Sequence, residues 1–155
     1  NARIPNHWRT DQQNARDKSL RSVFFINSPG GLVISSMRLG VIFRAMGAAV
    51  VVNGQCASAC VYALMGAKKR IAPPQSRVIL HRMFTFERFG GSDDNPGGLQ
   101  KTFGNRELQA RLSRYAQTMG VSTDVIRAAE AINGDSVKFV TQAEMRKWRL
   151  ASPSY

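Results

Sequence analysis

Histidine and cysteine are almost missing from this chain: among its 155 residues it has only His7, His81, Cys56 and Cys60. Two cysteines by themselves cannot build a zinc site or a multi-bridge disulfide framework, two histidines leave few candidates for a base or a metal ligand, and neither a metal nor a cofactor is expected. No apolar run approaches the roughly 18–20 residues that cross a bilayer, so no transmembrane segment is expected. The longest run, around Ala48 to Val52, is strand-sized. Acidic residues are also scarce, 10 against 22 lysines and arginines, for a net charge of +12. Such a surface attracts nucleic acid, anionic lipid or acidic substrates. The basic residues are scattered, however (Arg3, Arg16, Arg38, Arg44, Arg70, Arg111, Arg127, Arg146), with no single stripe of interleaved aromatics. No dedicated nucleic-acid site is therefore expected; Lys68-Lys69-Arg70 is the one tight basic cluster. The chain opens at Asn1 with neither a methionine nor a basic-then-apolar leader, which reads as a processed form or a fragment with any export signal removed.

What is present is an alternation of strand and helix signals. Residues 1–21 are polar, with a short surface helix expected over Asp11 to Leu20, and residues 22–155 form one domain. Val23-Phe24-Phe25-Ile26 reads as a buried parallel strand stopped by Asn27-Ser28-Pro29-Gly30-Gly31. A helix over Leu32 to Met46 follows, then a strand over Ala49 to Val52 ended by Asn53-Gly54. Ala57 to Met65 reads as a helix buried nearly all round. Arg70 to Ala72 and Arg77 to Leu80 are short strands, the second ending at His81. Phe84 to Gly104, with five glycines and the pair Asp93-Asp94, reads as a mobile loop or lid. Arg106 to Met119 is an amphipathic helix, and Thr123 to Ala131 a second, capped by Ser122. Phe139-Val140 leads through Thr141 into a last helix, Gln142 to Trp148. The alternation predicts an α/β layered domain with a mainly parallel sheet, whose working residues gather at the C-terminal strand ends.

Three of those ends carry Gly30-Gly31, Ser58 and His81. Acyl transfer needs a nucleophile, a base to take its proton and donors for the oxyanion. Ser58 is placed just after a strand in the first turn of a helix, where free N–H groups favour negative charge. The N–H of Ala59 serves as one oxyanion donor, and Gly30-Gly31, lacking a Cβ, lets a second segment approach with another. Imidazole exchanges protons readily near neutral pH, which makes His81 the general base.

The runs Ile26-Asn27-Ser28-Pro29-Gly30-Gly31, Gly54-Gln55-x-Ala57-Ser58, Gly66-Ala67-Lys68-x-Arg70 and Ser76-Arg77-Val78-Ile79-x-His81, in that order, closely resemble the ClpP family of serine peptidases. A weaker likeness continues through the helix Arg106 to Met119 and the ending Phe139-Val140-Thr141-x-Ala143-Glu144, so that it spans about residues 22–150. The resemblance implies the ClpP/crotonase-type spiral of ββα units and a tendency to form homo-oligomers. It implies Ser58 as nucleophile, His81 as base, and the Gly30, Gly31 and Ala59 amides as the oxyanion hole. Peptide or protein is then the substrate. For the third member of a triad it points between Asn133 and Val137, where Asp135 is the nearest carboxylate and the nominee; a Ser–His dyad, or a carbonyl orienting His81, is the alternative.

Cys56-Ala57-Ser58-Ala59-Cys60 resembles the ClpP-like proteins predicted to be periplasmic in Gram-negative bacteria. Spacing alone leaves a bridge and two packed thiols equally open. The resemblance implies a Cys56–Cys60 disulfide, an oxidising, periplasmic or otherwise exported location and, there, no ATP-driven unfoldase partner. A Ser–Lys dyad recruiting Lys68 or Lys69 and acyl-CoA chemistry of the crotonase type are weaker variants. The contrasting class is a catalytically degenerate module of the same fold whose basic surface binds an acidic protein.

Overall fold

A computed structural model describes residues 22–92, 94 and 97–154. The polar segment 1–21, with His7 and the helix expected over Asp11 to Leu20, lies outside the described residues, as does Asp93.

Strand and helix alternate as expected through β1 (Val23–Ser28), α1 (Val33–Ala45), β2 (Ala49–Ala57), α2 (Cys60–Gly66), β3 (Lys69–Ile71) and β4 (Arg77–Leu80). β1 is not the buried strand expected: among the described residues it lies at the sheet edge, paired only with β2, and Val23 and Phe25 are exposed. A hairpin follows, β5 (Phe84–Phe89) and β6 (Gly98–Phe103), then α3 (Arg106–Thr118), α4 (Asp124–Glu130), β7 (Lys138–Phe139) and α5 (Gln142–Lys147). β1, β3 and β4 all pair parallel to β2, and in this five-stranded sheet β7 runs antiparallel, against β4. β3 pairs with the first third of β2 and β4 with its last third, so one edge of β2 is shared by two strands in succession. This is a mixed α/β domain with a mainly parallel sheet.

Helix α2 is buried at every residue, from Cys60 to Gly66. Only small or apolar side chains can occupy such a helix without leaving polar groups unpaired. It packs so closely on α1 that a Cβ at Gly66 has no room against the Gly40 backbone. Leu64, Met65, Val50, Val52, Val78, Leu112, Val125, Met145 and Leu150 fill the space between sheet and helices. Helix α3 turns Leu112, Tyr115 and Ala116 inward, and the Tyr115 hydroxyl donates to the Tyr62 carbonyl at 2.7 Å. Burial pushes the Tyr115 phenol up to about 12. The N-cap of α4 is Thr123, not Ser122 as expected, and makes no side-chain cap bond; Ser122, one residue earlier, accepts the Asp124 N–H on its hydroxyl at 3.2 Å. Thr141 and Glu144 close a reciprocal capping box at the start of α5.

Two expected boundaries are corrected. β2 does not stop at Asn53-Gly54 but continues to Ala57. Gly54 takes φ +104°, open to glycine alone, and the Asn27 side chain accepts the Gln55 N–H at 3.2 Å. The strand thus kinks and resumes, and α2 begins at Cys60, not Ala57. Phe84 to Gly104 is not a structureless lid. It is a six-pair antiparallel hairpin from Phe84↔Phe103 to Phe89↔Gly98. Aromatic and threonine residues face one another across its base, where Thr85 and Thr102 share a 2.9 Å hydroxyl bond. The glycines are confined to the tip and the ends.

Candidate active site

Extending β2 to Ala57 moves Ser58 out of the helix and into the joint before it. Its φ is +57°, a left-handed conformation that costs a residue with a Cβ of the order of 1–2 kcal/mol. Neighbours impose it: the Ser58 N–H donates to the Ile79 carbonyl of β4 at 2.9 Å, and its own carbonyl accepts the Val61 N–H at 3.1 Å. Cys56 and Cys60 are joined by a disulfide with Cα atoms 5.3 Å apart, tying the last turn of β2 to the first of α2. The serine is clamped on both sides.

His81 leaves the adjacent strand β4 and places Nε2 2.6 Å from Ser58 Oγ. Its other nitrogen, Nδ1, lies 2.7 Å from the Arg82 carbonyl oxygen. A carbonyl can only accept, so Nδ1 carries a hydrogen, and the neutral tautomer this selects is the one whose Nε2 is bare toward the serine hydroxyl. The Ser58 O–H then donates to Nε2, the arrangement proton removal requires.

Asp135 is not brought to His81. It pairs instead with Lys101 of β6, and its side chain is 79% exposed. Lys101 in turn stands 4.2 Å from the centre of the Phe84 ring, which stacks on His81 with centroids 5.7 Å apart. The carboxylate bonded to the segment that follows His81 is Glu130 of α4, absent from the sequence expectations. Its Oε1 accepts the Met83 N–H at 3.4 Å, Oε2 accepts from the Gln109 amide at 2.9 Å, and Arg82 Nε lies 3.7 Å from Oε2. Glu130 thereby grips both residues after His81, including the one whose carbonyl takes Nδ1–H. Helix periodicity marks Glu130 only as a polar position, and no motif joins it to His81.

Gly30 packs directly on the nucleophile: a Cβ there would lie 2.6 Å from Ser58 Cβ and 2.9 Å from the Ala57 oxygen. Its N–H is already given to the Ser28 hydroxyl at 3.2 Å. Gly31 N–H and Ala59 N–H have no acceptor among the described residues. Gly30 is therefore the close-approach residue, and Gly31 and Ala59 are the two open donors of the three amides expected. Ser58 and His81 sit in the wall of an open cleft of about 760 Å³ lined mainly by apolar side chains, among them Leu32, Ile34, Met83, Phe84 and Phe86. Among the described residues no cluster of three metal-ligating side chains occurs, and no helix is long and apolar enough to cross a membrane.

Residues 12–94 match the family model described as Clp protease. Among solved structures the chain is similar to a ClpP1 mutant from Listeria monocytogenes, with a TM-score of 0.52 and 20% identity over 90% of this chain and 82% of that one. That likeness carries the fold. No curated protein sequence matches.

Proposed function

The chain belongs to the Clp protease family, and on that premise we propose that it is a serine hydrolase cleaving peptide bonds through an acyl-enzyme on Ser58. The observation that carries this reading is the 2.6 Å contact from Ser58 Oγ to a His81 Nε2 left free by the Nδ1–Arg82 bond. In the proposed cycle the Ser58 hydroxyl proton passes to Nε2 as Oγ attacks the scissile carbonyl carbon. The oxyanion that forms is received by the Gly31 and Ala59 N–H groups. His81 then gives its proton to the departing amine as the C–N bond breaks, leaving the acyl group on Ser58. Water then attacks the acyl carbon as it loses a proton to Nε2, the bond from Oγ to the acyl group breaks, and His81 returns that proton to Ser58 Oγ as the acid leaves.

The Arg82 carbonyl replaces the carboxylate of a full triad as the group that fixes the imidazole tautomer. A carbonyl brings a dipole but no net charge, so the imidazolium formed in the transition state gains less than beside an aspartate. Slow turnover is the expected consequence. Glu130 is a positioning residue, acting through the 82–83 backbone. The apolar cleft favours an extended peptide with apolar side chains next to the cleaved bond. The disulfide supports an exported, oxidising location, where an ATP-driven partner has no fuel; assembly into a homo-oligomer belongs to the same proposal.

One observation favours the second reading, a degenerate binding module: no carboxylate touches His81 among the described residues. A fluorophosphonate probe separates the two. The oxidised protein should be labelled at Ser58, and Ser58→Ala should not; absence of labelling in folded wild type leaves the binding module standing.

A further inference from the structure

Two described residues other than glycine adopt a left-handed backbone, Ser58 and, with φ +55°, Arg149. Arg149 follows the C-terminus of α5, where its N–H bonds the Arg146 carbonyl at 3.0 Å and the Leu150 N–H bonds the Met145 carbonyl at 2.8 Å. That closure normally takes glycine, because a Cβ is strained there. An arginine in a glycine position needs a reason, and its surroundings supply one. Arg149 lines an open cavity of about 330 Å³ together with Lys68, Lys69, Arg70, Arg146 and Ser152.

The floor of the cavity is charged as well. Arg70 spends its guanidinium on backbone: Nε donates to Leu150 O at 3.0 Å, Nη1 to Ala67 O at 2.9 Å and Nη2 to Arg149 O at 2.9 Å. Burial, then the nearby charges of Arg44 and Arg149, lower its pKa to about 10. Among the described residues no carboxylate comes within ion-pair distance of Lys68, Arg146 or Arg149, and all three are exposed. Among the described residues these three cations converge with no carboxylate beside them, which raises the local potential that an anion would relieve. The place is remote from Ser58. Lys69 pairs with Ala49, the first residue of β2, whereas Ser58 follows the last, about 30 Å along the strand at roughly 3.3 Å per residue.

We propose that this cavity binds a phosphoryl or polyphosphoryl group, held by Arg149, Arg146 and Lys68 beside the half-buried charge of Arg70. Guanidinium forks match phosphate oxygens in a bidentate way that scattered surface lysines do not. The group can arrive on a soluble phosphate ester or on a phospholipid head; the chemistry recognised is the same. This inference stands apart from the hydrolase reading, since none of its residues touches the Ser58 cleft.

Isothermal titration of the whole oxidised chain with sodium pyrophosphate at low salt tests it. Saturable binding is expected, weakened about tenfold by Arg149→Gly or Arg146→Ala, the loss of one charge-assisted contact. Arg127→Ala removes the same charge from α4, where Arg127 is paired with Asp124, and is expected to bind as wild type. Without ligand, Arg149→Gly should raise Tm by about 2–4 °C, because glycine relieves the left-handed strain. That gain excludes misfolding as the cause of lost affinity. A second arm uses phosphatidylcholine vesicles with and without phosphatidylglycerol. Vesicle binding that needs the anionic lipid, is lost in the same variants and is competed by pyrophosphate assigns the lipid head; pyrophosphate binding alone assigns a soluble ester. Equal affinities for wild type, Arg149→Gly and Arg146→Ala, equal weakening by Arg127→Ala, or no saturable binding in either arm overturns the proposal.

Discussion

At one end of β2 a serine is held left-handed between strand and helix; at the other end of the sheet an arginine is held left-handed between helix and coil. Both conformations cost of the order of 1–2 kcal/mol and survive because neighbours over-determine them. The clamps differ. Ser58 is fixed by a disulfide on its flanks and a bond into β4, so its hydroxyl has one direction, toward His81. Arg149 is fixed through its backbone alone, with its carbonyl taken by Arg70, and its long side chain stays in solvent. Chemistry on a bond needs an atom placed to within tenths of an ångström, whereas attraction of an anion needs only converging charge.

Replacing each residue by glycine sharpens that contrast. Ser58→Gly should abolish labelling while raising Tm by about 2–4 °C, the same gain expected at Arg149. A fall in Tm at Ser58 would show that its side chain is part of the clamp. The next largest effect breaks the clamp itself. Closing a loop this short is worth about 2 kcal/mol, so Cys56→Ala with Cys60→Ala should lower Tm by about 4–8 °C and slow labelling. Thermal melts of the oxidised and double-variant proteins check this, and equal melting points would show the bridge to be idle.

Glu130→Gln tests the indirect orientation of His81. It should lower the maximal labelling rate by about tenfold, as expected when a hydrogen bond to a charged group weakens, with the half-saturating probe concentration unchanged. The competing assignment of Asp135 as third member predicts the reverse: loss of rate in Asp135→Asn and none in Glu130→Gln. The smallest effect lies at the start of α5. Hydrogen bonds from Lys138 and then from the Thr141 N–H hold the Glu144 carboxyl below its ordinary range. A lowered folded-state pKa gives stability that is present above the unfolded value, about 4.3, and lost as pH falls through the folded one. Melts below that pH should converge for wild type and Glu144→Gln, with a difference above it of under about 1 kcal/mol because the pair is partly exposed.

Much of this was legible in the sequence because parallel strands are short apolar runs and their ends carry turn signals. Val23 to Ile26, the Gly30-Gly31 turn, Ser58 and His81 fell in order for that reason. The residues that shape the site from outside were not legible. Glu130 acts through the backbone of another element, and although a carbonyl orienting His81 was one expected alternative, that Arg82 supplies it is visible only as geometry. The Phe84–Gly104 segment misled because its glycines dominate its composition, although they sit at the hairpin's tip and ends and leave the paired aromatics intact. Lys68 to Arg70 stood out as a cluster, but Arg146 and Arg149 join it only when the segment after α5 returns to β3, where Ser152 bridges Ile71 and Arg70 bonds the Arg149 carbonyl.

The central claim, that His81 removes the proton from Ser58, is tested most directly by the rate of fluorophosphonate labelling in His81→Ala beside His7→Ala. The expected result is a loss of about 10³-fold or more for His81→Ala, as when a general base is removed from a serine hydrolase, with His7→Ala at the wild-type rate. Equal rates in the two variants contradict the claim.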